Sequence, residues 1–179
     1  MMDSLPSKFN LWLFDAKDEN QTNSDNFYEK VKNVLAVASP SDFATMYSKL
    51  RKPKDMKNGC EVYFFKEGIK PLWEDPENEN GGSFFMHIKK TFANRIWENV
   101  LFSVVAQNTD EVKVINGIII RVLTLEVVFF IWTKKITKEM EGKMIVWLKD
   151  TAGLSNKIKL EFKPHPKSKP AEEDPSLAI

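Results

Sequence analysis

The residues whose types and spacing could do chemistry are concentrated in Phe64–Phe85, which reads FFKEGIKPLWEDPENENGGSFF. Two aromatic runs with the composition of strands flank a polar loop. The loop opens on Ile69-Lys70-Pro71-Leu72-Trp73-Glu74-Asp75 and closes on Gly81-Gly82. Trp73 offers a broad π face and Glu74 two acceptor oxygens. Side by side at the mouth of a loop, they could hold a flat, cationic ring that donates hydrogen bonds. A plainer reading fits as well: Trp73 caps the end of a sheet and Glu74 is solvated, since most exposed charges are only surface.

Other chemistries find less support. There is no Ser-His-Asp spacing, no Gly-rich phosphate loop and no carboxylate pair in an obvious cleft, so the chain does not read as an enzyme. His87 falls in a strand and His165 at the start of the tail, and both read as structural. One cysteine, Cys60, and two separated histidines allow neither an internal disulfide nor a metal-ligand cluster. No cofactor is expected. The lone cysteine suits a reducing compartment.

A net charge of +1 argues against a broad basic face that tracks a nucleic-acid backbone or DNA. Any nucleic acid should be gripped at one chemical feature, such as an end group. The N-terminus lacks an apolar run of signal-peptide length, and the apolar stretches fall short of a membrane span. A soluble, cytoplasmic monomer is the expectation. With 179 residues, 42% hydrophobic and 12% aromatic, one domain with a real core is expected.

The elements that must position these residues follow from pattern. Residues 1–8 read as a flexible arm, 9–165 as the domain and 166–179, Pro-rich and charged, as a disordered tail. Phe9–Phe14 alternates as a strand, and Asp15–Asn26 reads as a long mobile loop. Tyr28–Val37 is expected as the second strand. Ser39-Pro40-Ser41-Asp42 is a helix start, with Ser39 as N-cap and Phe43, Met46, Tyr47 and Leu50 as the apolar stripe.

Val62–Phe65 and Ser83–Lys89 read as the strands around the Trp73 loop. Thr91–Gln107 reads as a helix burying Ile96, Val100, Leu101, Val104 and Val105, followed by a polar loop at Asn108–Lys113. Val114–Val122 and Leu125–Trp132 suggest an antiparallel hairpin. Thr137–Asp150 is a third helix that stops at Gly153, and Ile158–Phe162 a last strand. Strands outnumber helices, and the helices are too few for regular βαβ crossovers. The pattern therefore gives an α+β fold, an antiparallel sheet with helices on one face.

Several separated motifs also carry a resemblance. KEGIKPLWEDPENENGG, with LWLF at Leu11–Phe14, YEKVKNVLAVAS at Tyr28–Ser39, NRIWENVL at Asn94–Leu101 and the Gly117–Trp132 hairpin, is similar to the messenger-RNA cap-binding translation initiation factor 4E family. Within it the chain most resembles the class II branch, the 4E-homologous protein. The resemblance spans about Leu11 to His165. It implies a curved antiparallel sheet of about eight strands, three helices on its convex back and a cap slot on its concave front. The implied ligand is the 7-methylguanosine 5′ cap.

By that resemblance Tyr28, with Phe27 as second choice, and Trp73 sandwich the cationic base, combining stacking with cation–π attraction. Glu74 accepts from its Watson–Crick edge, Trp132 lies against the N7-methyl and Arg121 meets the phosphates. Core packing would equally explain Trp132, and an exposed strand-end charge Arg121. The chain departs from the family where Ser83 follows the Gly pair in place of a cation and Val122 and Leu123 replace lysines. The hairpin is also about two residues longer. Lys163, Lys167 and Lys169 could compensate, or simply solubilise the end of the chain.

On the back, the family's partner-binding tryptophan is matched by Ala44. Pro40, Phe43, Ala44, Tyr47, Glu98 and Asn99 are the candidate surface for a scaffold factor or 4E-binding regulator. Three readings follow: a cap-binding class II protein that represses translation, a divergent initiation factor that promotes it, or an interaction module without cap binding.

Overall fold

A computed structural model describes residues 4–14, 31–155, 157–158 and 160–166. Seven strands, each alternating its side chains between two faces, form one antiparallel sheet. They are β1 (Phe9–Phe14), β2 (Lys32–Val37), β3 (Glu61–Lys66), β4 (Gly82–Lys89), β5 (Ile115–Val122), β6 (Glu126–Thr133) and β7 (Glu161–Pro164), in the spatial order β2-β1-β3-β5-β6-β4-β7. Register then decides which residues meet. One row crosses the whole sheet: Leu35, Leu11, Phe64, Ile118, Ile131, Phe84 and Phe162. Most of this row is buried within the main core.

That core is completed by helices on the same side: α1 (Pro40–Lys49), α2 (Lys90–Ala106), the single turn α3 (Asp110–Lys113) and α4 (Lys138–Ala152). Ser39 caps α1 with a full capping box, its hydroxyl accepting from Asp42 N and the Asp42 carboxylate accepting from Ser39 N. Thr137 caps α4 by accepting from Met140 N, and Gly153 ends it in the left-handed conformation. Phe43, Met46, Ile96, Trp97, Val100, Leu101, Val104, Met144 and Leu148 supply the buried face. Each large apolar side chain removed from water contributes about 1.5–3 kcal/mol.

The expected fold class is the one observed, a curved antiparallel sheet backed by helices. Three local expectations differ. Asn108–Lys113 is not all loop, because Val112 is fully buried and draws Asp110–Lys113 into a helical turn. The last strand lies at Glu161–Pro164 rather than Ile158–Phe162, since pairing with Gly82–Phe85 fixes it there. Seven strands are present among the described residues, where about eight were expected.

The arm is anchored in part. Leu5 N donates to Ala38 O, its side chain packs on the core, and Ser7 bonds Gln107. The expected loop at Asp15–Asn26, both Phe27 and Tyr28, and Lys167 and Lys169 lie outside the described residues.

Candidate functional site

The face of the sheet opposite the helices carries a second, smaller apolar cluster built from Trp12, Val31, Tyr63, Phe65, Ile119 and Trp132. Three register rows cross it. The first is Asn10, Phe65, Gly117, Trp132, Ser83 and Lys163; the second is Trp12, Tyr63, Ile119, Phe130, Phe85 and Glu161. The third is Phe14, Glu61, Arg121, Val128 and His87. Alternate residues on a strand are about 6.7 Å apart, so the Arg121 row lies roughly 13 Å from the Trp132 row.

Trp132 is 9% exposed, with Phe65 edge-on at 5.6 Å between ring centroids and His165 tilted against it at 4.1 Å. This packing requires Gly117. A Cβ there would stand 2.3 Å from the Phe65 ring.

Trp73 and Glu74 lie on the loop between β3 and β4. The loop is held by Asn78, which is fully buried. Its side-chain amide donates to Lys70 O at 2.8 Å and Leu72 O at 2.9 Å, and its oxygen accepts from Asn116 Nδ2 at 2.9 Å. Asp75 accepts from Lys70 N and Glu77 N, and Asn116 also donates to Glu77 O. Polar groups buried this way must be paired, because each unpaired one costs about 1–3 kcal/mol.

The network fixes the backbone on both sides of Trp73 and leaves that ring 48% exposed, with Glu74 exposed beside it. His165, just after β7, closes the frame. Its Nδ1 donates to Asn78 O at 2.8 Å, and its backbone N donates to Gly81 O. Burial pushes the His165 pKa down, which keeps the ring neutral. A neutral ring that donates from Nδ1 carries its lone pair on Nε2, which is buried without a hydrogen-bond partner among the described residues.

Two cations reach the floor below Trp132 from opposite sides. Lys163 is the register neighbour of Ser83, and its Nζ lies 4.6 Å from the Phe85 ring centroid. The Arg121 guanidinium lies 5.8 Å from the Phe130 ring, and Phe85 and Phe130 are themselves register partners. Arg121 Nε also donates to Glu61 Oε1 at 2.6 Å. Trp132, Ser83, Arg121 and Lys163 thus share one face, with the Trp73–Glu74 loop leading directly into β4. Among the described residues no group of His, Cys, Asp or Glu could hold a metal ion, and no helix is long and apolar enough to cross a membrane.

On the helical side Pro40, Ala44, Glu98 and Asn99 are exposed and Phe43 is buried. The Tyr47 hydroxyl donates to Glu98 at 2.6 Å, and Lys52 Nζ sits 3.2 Å over the Tyr47 ring. Desolvation, with the Glu98 hydrogen bond and charge, pushes the Tyr47 pKa up to about 12. Phe102, 46% exposed, packs edge-on against both Phe43 and Tyr47. Sequence reasoning missed Phe102, Glu61, Asn78 and Asn116. Asn78 carried a signal, as an amide amid turn formers in a loop too long to hold itself.

Comparison with known proteins bears on this arrangement. The family model described as eukaryotic initiation factor 4E matches residues 4–177. A relative called eukaryotic translation initiation factor NCBP, from Oryza sativa subsp. japonica, is 26% identical over 165 residues, covering 90% of this chain and 70% of the relative. Eukaryotic translation initiation factor 4E of Candida albicans is 29% identical over 182 residues, covering 98% and 85%.

Among solved structures, Caenorhabditis elegans eIF4E-3 in complex with the 4E-binding protein Mextli and a cap analog superposes with a TM-score of 0.81 at 22% identity, covering 91% of this chain and 92% of that one. Ascaris suum eIF4E-3 with an m7G cap does so at 0.81 and 23% identity, covering 94% of each. At these identities the structural likeness is one of fold.

Proposed function

The chain belongs to the eukaryotic initiation factor 4E family, and from that premise we propose that it binds the 7-methylguanosine 5′ cap of messenger RNA and regulates translation initiation. The observation that carries this reading is the half-exposed Trp73, beside the exposed Glu74, on a loop whose backbone is locked by the buried Asn78. A large aromatic ring left to solvent on a backbone already fixed has that part of the ordering cost met, so it can stack on a ligand with less further ordering. Solved relatives of the same fold hold cap ligands, which supports the assignment.

In this reading Trp73 stacks on one face of the methylated base and Tyr28 on the other. The positive charge that N7-methylation gives the purine strengthens both contacts. Glu74 accepts from N1–H and the exocyclic amine, a bidentate charge-assisted contact that orients the ring. Trp132 lies beside the N7-methyl, and Arg121 and Lys163 meet the phosphate chain over the Phe85–Phe130 floor, with Lys167 and Lys169 as further contacts. Lys163 would supply, from the adjacent strand, the cation absent at Ser83. In this reading the protein acts as a binder.

The back face bears on the regulatory sign. Exposed Ala44 offers no aromatic anchor to a scaffold helix, which supports repression by competition for capped messenger RNA. Phe102, packed on Phe43 and Tyr47, offers aromatic surface to a different 4E-binding partner. Direct titration with a scaffold-type helix decides between repressor and initiation factor. Tight scaffold binding would favour the initiation factor.

The cap assignment is tested by tryptophan fluorescence titration with 7-methyl-GTP and with GTP. Saturable quenching by the methylated ligand, lost in Trp73→Ala, is the expected result. Absence of quenching with a folded protein would reduce the chain to a protein-interaction module.

A further inference from the structure

Arg121 does not face solvent with its charge free. It stands directly opposite Glu61 in the β3–β5 register, and its Nε donates to Glu61 Oε1 at 2.6 Å. The two partners are unequal. The Glu61 side chain is 13% exposed and that of Arg121 is 51% exposed. The Tyr63 hydroxyl donates to the second carboxylate oxygen of Glu61. Burial and the adjacent carboxylate raise the Tyr63 pKa, so it remains a donor. Glu61 is therefore gripped at both oxygens and cannot swing away when an anion approaches Arg121.

We infer that Glu61 is a built-in counter-anion for Arg121, limiting what the site gains from a ligand's phosphates, so that affinity resides in the methylated base and is weakly graded by phosphate number. This rests on the cap-slot reading above. The charge balance is elementary. A phosphate reaching the exposed edge of Arg121 meets a guanidinium already paired and a fixed negative charge immediately behind it. At separations of about 6 Å in partly screened surroundings, one such charge is worth roughly three- to tenfold in affinity. Lys163 lies on the far side of the Phe85–Phe130 floor and is left as the more available cation.

The full chain and Glu61→Gln are titrated with 7-methylguanosine, 7-methyl-GMP and 7-methyl-GTP at two salt concentrations. Glu61→Gln keeps the side-chain shape and an acceptor for Arg121 while removing the charge. The expected result is unchanged nucleoside affinity, 7-methyl-GTP binding tightened about three- to tenfold, and a log-affinity against log-salt slope steeper by up to about one. Unchanged nucleoside affinity with unchanged triphosphate affinity overturns the inference alone. Weaker triphosphate binding also overturns it and makes Glu61 a positioning residue for Arg121.

If the wild-type chain binds neither nucleoside nor triphosphate, the cap-slot reading falls and this inference with it. Glu61→Thr, which suits a strand, provides the same charge change under the same criteria should Glu61→Gln lower the melting temperature.

Discussion

At the scale of single residues, the loop that presents Trp73 is held by the fully buried Asn78. Asn78→Ala removes two donated hydrogen bonds and one accepted one at a fully buried position, leaving the carbonyls of Lys70 and Leu72 only their backbone partners, Leu72 N and Asp75 N. We expect a loss of about 2–4 kcal/mol in urea unfolding. Trp73→Ala, at a half-exposed ring, should cost less than about 1 kcal/mol, so the two variants separate loop integrity from ligand contact.

His165 adds a pH dependence whose sign is fixed by its burial. Its folded-state pKa lies below the ordinary 6.5, so near and below that value the unfolded chain binds the proton more readily than the folded one. The stabilisation is full above the unfolded pKa and is lost as pH falls toward the folded one. Melting temperatures measured from about pH 8 down to pH 5.5 should fall for the wild type, and the fall should be shallower in His165→Gln. An equal slope in both proteins would assign the acid sensitivity elsewhere.

At the scale of elements, local chemistry made most of the fold legible. The Ser39 N-cap and the Gly153 stop are written in adjacent residues and recur in the structure where the sequence puts them, whereas the Thr137 cap emerges only from the structure. Asp110–Lys113 was not legible, because its helical turn follows from burial of Val112 against elements remote in sequence. The candidate site divides the same way. The Trp73–Glu74 pair is local and was visible. The approach of Lys163 to Ser83 and of Glu61 to Arg121 comes from strand pairing across dozens of residues, which no local pattern encodes.

Gly117 belongs to that second class. Its role becomes visible only when β5 lies between β3 and β6 and the Phe65 ring covers it. Gly117→Ala should cost about 1–3 kcal/mol by overpacking and alter the near-ultraviolet dichroism of Trp132. An unperturbed spectrum with full stability would show that Phe65 moves aside freely.

At the scale of the whole molecule, one sheet carries two apolar surfaces: a front with its own small aromatic cluster, and a back whose main core holds the helices. Cap binding on the front, as proposed, should therefore stabilise the entire domain, since unfolding any of the central strands would remove the surface that holds the ligand. At a ligand concentration a hundredfold above Kd, this linkage supplies about 2.7 kcal/mol. For a domain of this size that corresponds to a rise of roughly 5–10 °C in Tm.

We expect 7-methyl-GTP to produce that rise, GTP at the same concentration to produce a much smaller one, and Phe102→Ala to leave the difference intact. Phe102 touches Phe43 and Tyr47 on the back and no residue of the front cluster that the rings define. A Phe102→Ala variant that lost the ligand-dependent shift while keeping its own melting temperature would mean that the helices transmit occupancy through the sheet, and that the two surfaces act as one.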